Sequence, residues 1–166
     1  NAGLHRYNAA IESYKKALKI KPDYAECYNN MGNALQKKRD LDAAIESYKE
    51  AVKIRPDYAE GHNNMGNSLQ EKGNLHAAIE NYQKAVKIKP NYAEAYYNMG
   101  IALNAKGEPD AAIESYKKAV KIAPNYAEAH SNLGSALTEK GDPISAIENC
   151  SHAIKVKPNY AEAHNN

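Results

Sequence analysis

An all-α solenoid of antiparallel helix pairs is the fold class that the sequence predicts, and three observations predict it. Pro22, Pro56, Pro90, Pro124 and Pro158 recur every 34 residues, each followed by Asp or Asn and then by Tyr-Ala-Glu. Self-similarity at that period marks stacked helical repeats, none of which buries its apolar face alone. Within Ala59–Tyr92, apolar or small residues take the i, i+3, i+4, i+7 spacing twice, first at His62, Met65, Gly66 and Leu69, then at Ala78, Ile79, Tyr82, Ala85 and Val86. Each repeat therefore carries two amphipathic helices, A and B. Gly73, Gly107 and Gly141 stand where a left-handed residue would close helix A, and each proline stops a helix B.

In chain order, Asn1–Ile20 reads as the tail of a helix A followed by a whole helix B, with Tyr7, Ala10, Ile11, Tyr14, Ala17 and Leu18 on its apolar side. Residues 1–24 thus form a partial repeat. Full repeats span 25–58, 59–92, 93–126 and 127–160, residues 161–166 begin a further helix A, and the whole of 1–166 is expected to form one solenoid. Each helix A is expected to open on a capping box, at Asp23/Glu26, Asp57/Glu60, Asn91/Glu94, Asn125/Glu128 and Asn159/Glu162. Arg39 stands where the other repeats have glycine, so Lys38-Arg39-Asp40 must make the A-to-B turn, at a cost of ~1 kcal/mol if Arg39 is left-handed. Pro109 and Pro143 fall in the first turn of their helices B, where proline is tolerated; Asp142 before Pro143 is a good cap and Glu108 before Pro109 a poorer one. Glu12/Lys16, Glu80/Lys84 and Glu114/Lys118 have the i,i+4 spacing of exposed helical ion pairs.

Composition excludes several classes of function. With 22 basic and 20 acidic residues the net charge is +2, and no basic stripe suited to nucleic acid is present. No apolar run approaches the ~20 residues of a membrane span, and no signal segment is read in these residues. Cys27 and Cys150 are too far apart in a helical stack for a disulfide; they read as small apolar fillers, which fits a reducing, cytoplasmic compartment. No nucleophile elbow, zinc-binding helix motif or phosphate loop occurs, so neither catalysis, a cofactor nor a metal is expected. His62 and His130 lie on alternate helices A, either packed in the stack or ligating a metal; His5, His76, His152 and His164 read as scattered and solvated.

The repeat resembles the tetratricopeptide repeat. Counted from the Ala of Tyr-Ala-Glu, place 4 holds Tyr28, His62, Tyr96 and His130, place 7 Met31, Met65, Met99 and Leu133, and place 8 Gly32, Gly66, Gly100 and Gly134. Leu35, Leu69, Leu103 and Leu137 follow at place 11, Ala44, Ala78, Ala112 and Ala146 at place 20, Tyr48, Tyr82, Tyr116 and Cys150 at place 24, and Ala51, Ala85, Ala119 and Ala153 at place 27. The resemblance implies a right-handed superhelix whose concave groove is lined by the helix A face opposite the apolar stripe. That face holds Glu26, Asn29, Asn30, Asn33 and Gln36, then Glu60, Asn63, Asn64, Asn67 and Gln70, then Glu94, Tyr97, Asn98, Ile101 and Asn104, then Glu128, Ser131, Asn132, Ser135 and Thr138.

A side-chain amide offers both a donor and an acceptor, so a row of them can pair with the backbone of an extended peptide whatever its side chains. The row Asn30, Asn64, Asn98 and Asn132 is similar to the asparagine ladder of the O-GlcNAc transferase repeats, which implies the same use. The carboxylate-clamp relatives place Lys and Arg at places 2, 5 and 6; this chain has none there. The expected function is a scaffold binding a protein or extended peptide, with two alternatives: the substrate-docking or spacer segment of a larger enzyme such as a glycosyltransferase, or a module that stacks end to end. Glu26, Glu60, Glu94, Glu128 and Glu162 on the groove side, with lysines such as Lys49, Lys84 and Lys118 on the outer side of helix B, predict a partner neutral or basic rather than acidic. Tyr97 and Ile101, i and i+4 on the groove side, are a candidate apolar anchor or plain drift. The cut ends, Asn1–Arg6 and Ala161–Asn166, are complementary parts of one stack and predict head-to-tail self-association.

Overall fold

A computed structural model describes residues 2–158, with side chains from residue 5. Among the described residues there are nine helices and no strand: α1 (Ala2–Ile20), α2 (Ala25–Lys37), α3 (Leu41–Ile54), α4 (Ala59–Glu71), α5 (Leu75–Ile88), α6 (Ala93–Lys106), α7 (Pro109–Ile122), α8 (Ala127–Lys140) and α9 (Pro143–Val156). Helices α2, α4, α6 and α8 are the helices A. The expected further repeat at 161–166 and the Asn159/Glu162 cap lie outside the described residues, as does the chain-end contact predicted there.

The chain divides into two compact bodies, Asn1–Pro90 and Asn91–Asn166. In the first, α2 pairs with α3 and α4 with α5, and α1 packs on α2, α3 on α4 and α2 on α4. In the second, α6 pairs with α7, α8 with α9, and α7 packs on α8. The close pairing follows from small residues at fixed places. Ala44, Ala51, Ala78, Ala85, Ala112 and Ala119 are wholly buried, as are the rings of Tyr48 and Tyr82. A β-carbon at Gly32 or Gly66 would stand 2.5 or 2.6 Å from Cε1 of Tyr48 or Tyr82, so the glycine is what lets helix B's ring lie flat on helix A.

The helix ends both support and correct the sequence reading. Asp40 Oδ1 accepts from the Ala43 amide, Asn74 Oδ1 from Ala77 and Asp142 Oδ1 from Ser145, capping α3, α5 and α9, while Glu108 makes no such bond before α7. The capping boxes expected on the helices A are absent from α2, α4, α6 and α8. The residues at the cap are Tyr24, Tyr58, Tyr92 and Tyr126, without a side-chain cap bond, because Asp23, Asp57, Asn91 and Asn125 lie one position too early in the turn that the proline begins. The expected break within Asn1–Ile20 is also missing: α1 runs unbroken, since Leu4-His5-Arg6 offers neither a turn glycine nor a capping side chain. The exposed ion pairs take i,i+3 spacing, Glu12–Lys15 at 3.0 Å and Glu114–Lys117 at 2.9 Å, in place of the i,i+4 partners, and Glu80 meets His76 at 3.3 Å.

Arg39 has φ 67°, matching the φ of 81–84° at Gly73, Gly107 and Gly141. Its ion pair to Glu71, at 3.8 Å, is largely solvated, so Arg39→Gly should raise stability by about 0.5–1 kcal/mol, seen as a higher urea midpoint. Ser68 occupies the place of Ala34, Ala102 and Ala136. Its hydroxyl is fully buried near Tyr48 and makes no hydrogen bond of ordinary geometry. Ser68→Ala should therefore stabilise by about 1 kcal/mol; a loss would show that the hydroxyl serves Tyr48.

Candidate functional site

The polar face of helix A separates into three classes of position. Asn29 and Asn63 are buried, at 5% and 0% exposure, and so do not line a groove as expected. For Asn29 the reason is lateral packing: α2 lies against α4 as well as against α3, and Asn64 of α4 donates to it. Asn33 and Gln36 turn inward, their side-chain oxygens accepting from Tyr48 Oη at 2.8 and 3.3 Å. Asn67 and Gln70 do the same for Tyr82 Oη, at 2.8 and 3.0 Å. Gln36 Nε2 also donates to Glu71 Oε1.

Place 6 is the third class. Asn30 is exposed, and Asn64, Asn98 and Asn132 are half-buried. Asn64 Nδ2 donates to Asn29 Oδ1 at 3.0 Å, and Asn132 Nδ2 donates to Tyr97 Oη at 3.3 Å, each reaching the place 5 residue of the preceding repeat. At Asn64 this engages one N–H of the amide, whereas the Asn132 amide also hydrogen-bonds Tyr116. Place 5 orients place 6. That role for Asn29 and Tyr97 was not visible in the sequence, because an isolated helical wheel does not show the neighbouring repeat.

Tyr97 and Ile101 have different surroundings. Tyr97 stacks on Tyr126 and Tyr116, with centroids 4.9 and 6.1 Å apart, whereas Ile101 lines a cleft of about 300 Å³ together with Asn104, Ala105, Tyr116, Asn132 and Glu139. Burial, with Tyr97 next, pushes the Tyr116 phenol up to about 12.

The acidic stripe is paired. Glu26 meets Arg55 at 2.5 Å, Glu60 meets Lys89 at 3.0 Å, and Glu128 meets Lys157 at 3.0 Å, a cation supplied each time from the end of the same repeat's helix B. Lys89 and Lys157 hold Glu60 and Glu128 below the usual carboxylate range; for Glu26 the backbone N–H does so first, with Arg55 adding to it. Three of the carboxylates that predicted a negative face are therefore matched by positive charge.

His62 and His130 are packed within their repeats. Nδ1 of His62 faces Asn81 Oδ1 at 3.2 Å and Nδ1 of His130 faces Asn149 Oδ1 at 2.9 Å, while their Nε2 atoms face the carbonyls of Pro56 and Pro124. His152, expected to be solvated, instead stacks on His130 at 4.2 Å and shares the Pro124 carbonyl. Among the described residues no group of His, Cys, Asp and Glu is arranged to hold a metal ion. Cys27 Sγ donates to the Tyr14 carbonyl at 3.6 Å, and both cysteines are free. No described helix is long and apolar enough to cross a membrane.

Helix pairs joined through a left-handed turn, with small residues under a helix B aromatic, define a class of solenoid repeat. Family models described as TPR repeat and tetratricopeptide repeat match residues 4–39, 40–73, 66–107, 100–141 and 127–160. The chain belongs to the tetratricopeptide repeat family. It is similar to the crystal structure of MamA, with 31% identity, a TM-score of 0.85, and coverage of 94% of this chain and 91% of that one. A MamA structure from Desulfovibrio magneticus RS-1 shares the fold at a TM-score of 0.82 and 24% identity, over 92% of this chain and 86% of that one. Over 39 residues, 24% of this chain, it is 46% identical to the probable UDP-N-acetylglucosamine–peptide N-acetylglucosaminyltransferase SEC of Arabidopsis thaliana, and this stretch spans only 4% of that protein's length.

Proposed function

We propose that the chain is a non-catalytic scaffold whose helix A face binds an extended peptide through the place 6 asparagines. The observation that carries this is the oriented amide. Asn64 commits one N–H to the preceding repeat, and what it keeps, one C=O and one N–H, is the hydrogen-bonding complement of a peptide unit; Asn132 is held by Tyr97 and Tyr116 and keeps its C=O. The absence of Lys and Arg at places 2, 5 and 6 favours a neutral or basic ligand over an acidic one. The same face would serve a larger enzyme as its docking segment, a second reading that the similarity to the plant glycosyltransferase supports.

A library of extended peptides tests it. Replacing Asn30, Asn64, Asn98 and Asn132 together by Ala should weaken selected peptides more than about a hundredfold, at roughly 1 kcal/mol per amide, while the helical circular dichroism stays unchanged. Methylating a backbone nitrogen of the peptide should weaken binding in the same way. Equal binding by the Ala variant would overturn the reading. Tyr97→Ala should lose both peptide affinity and fold stability, by about 1–3 kcal/mol of the latter, since its ring is stacked and its hydroxyl holds Asn132.

A further inference from the structure

We propose that the cleft beside Ile101 is a binding site for an arginine side chain of the bound peptide, an inference that rests on the peptide-binding reading and adds a side-chain preference to it. The chain supplies its own comparison, because the same place two steps earlier along the repeats is occupied. Between α2 and α4, the carboxylate of Glu71 takes Gln36 Nε2 on one oxygen and lies 3.8 Å from the Arg39 guanidinium on the other. The Tyr48 hydroxyl below donates to Asn33 and Gln36.

Between α6 and α8, three substitutions empty that place. Asn33 becomes Ile101, which cannot accept the phenol's hydrogen; Gln36 becomes Asn104, one methylene shorter; Arg39 becomes Gly107. Glu139, at the place of Glu71, and Tyr116, at that of Tyr48, now line a cleft of about 300 Å³ with Ile101, Asn104, Ala105 and Asn132. Glu139 forms no ion pair with the described residues, whereas Glu71 has one. The walls fit the shape of the missing groups. Ile101 and Ala105 offer an apolar channel for an aliphatic stem, and the carboxylate of Glu139 with the amide oxygen of Asn104 offers acceptors to a planar fork of N–H donors. Guanidinium is favoured over ammonium because it presents several donors in fixed directions.

The test titrates the full chain, labelled with nitrogen-15, with N-acetyl-arginine methylamide and with its citrulline counterpart, which keeps the shape and loses the charge. The arginine compound should shift the side-chain amide resonances of Asn104 and Asn132 and bind about fivefold tighter than citrulline, the size of a partly exposed charge pair. Glu139→Gln should remove the difference. Asn104→Gln combined with Gly107→Arg should refill the cleft and abolish the shifts; Arg39 already shows that arginine is accommodated at that turn. No shift at Asn104 and Asn132, equal binding of citrulline, or shifts that persist in the refilled variant would each overturn the proposal. The two readings fail separately. Peptides without arginine that still require the four asparagines would leave the ladder standing while this site falls, and arginine binding at the cleft with peptide capture indifferent to those asparagines would do the reverse.

Discussion

Tyr82→Ala is expected to destabilise the fold by about 3–5 kcal/mol, the range for removing a buried aromatic ring. The ring is wholly buried, and its hydroxyl holds two side chains of the preceding helix, Asn67 and Gln70, at 2.8 and 3.0 Å. Tyr82→Phe separates the two contributions. The packing survives, and the two half-buried amides turn to water, so the loss should be only about 1 kcal/mol. Urea unfolding checks both. Because each repeat is supported only by its neighbours, the alanine variant should show either a lower midpoint or an early phase in which the second repeat unfolds first. If phenylalanine cost as much as alanine, the hydrogen bonds rather than the ring would hold the pair together.

Gly66→Ala is expected to destabilise by about 1–3 kcal/mol, although alanine is the better helix former by about 1 kcal/mol. The added β-carbon would lie 2.6 Å from Cε1 and 2.9 Å from Cδ1 of Tyr82. That ring cannot retreat, since it is enclosed and pinned at its hydroxyl. The double variant Gly66→Ala with Tyr82→Ala should cost less than the sum of the two, the coupling expected of residues in contact. Additive losses would mean that the helices slide apart rather than collide.

Most of the architecture was legible in the sequence because it is written in residues whose backbone or bulk is decisive. The prolines, the turn glycines and the small-large alternation locate every helix from α2 to α9 to within a residue or two, and Arg39 announced its left-handed turn by replacing a glycine. The polar face was legible only in part. A helical wheel places Asn29, Asn30 and Asn33 together, but one is buried against the next repeat, one is exposed, and one turns back to Tyr48. Those differences depend on what lies beside the helix, which 100° geometry does not include. The capping boxes failed because the tyrosine, not the Asp or Asn before it, stands at the cap. The His–Asn contacts could have been found: place 4 and place 23 change in step, Tyr28 with Ser47, His62 with Asn81, Tyr96 with Ser115, His130 with Asn149.

Because each matched pair lies within one repeat, the inheritable module is the single repeat from proline to proline, which restricts how such an array can be shuffled. His62 and His130 each need an asparagine oxygen from their own helix B, whereas Ser47 and Ser115 turn back to the carbonyls of Ala43 and Ala111 four residues earlier. A recombination event that exchanged neighbouring repeats at the left-handed turn would join a histidine helix A to a serine helix B and strand a buried imidazole nitrogen, at about 1–3 kcal/mol. An exchange at the proline turn keeps each pair intact. The prolines are therefore the tolerated seams for lengthening or shortening the array, in nature and in engineered chimeras, and the glycine turns are not.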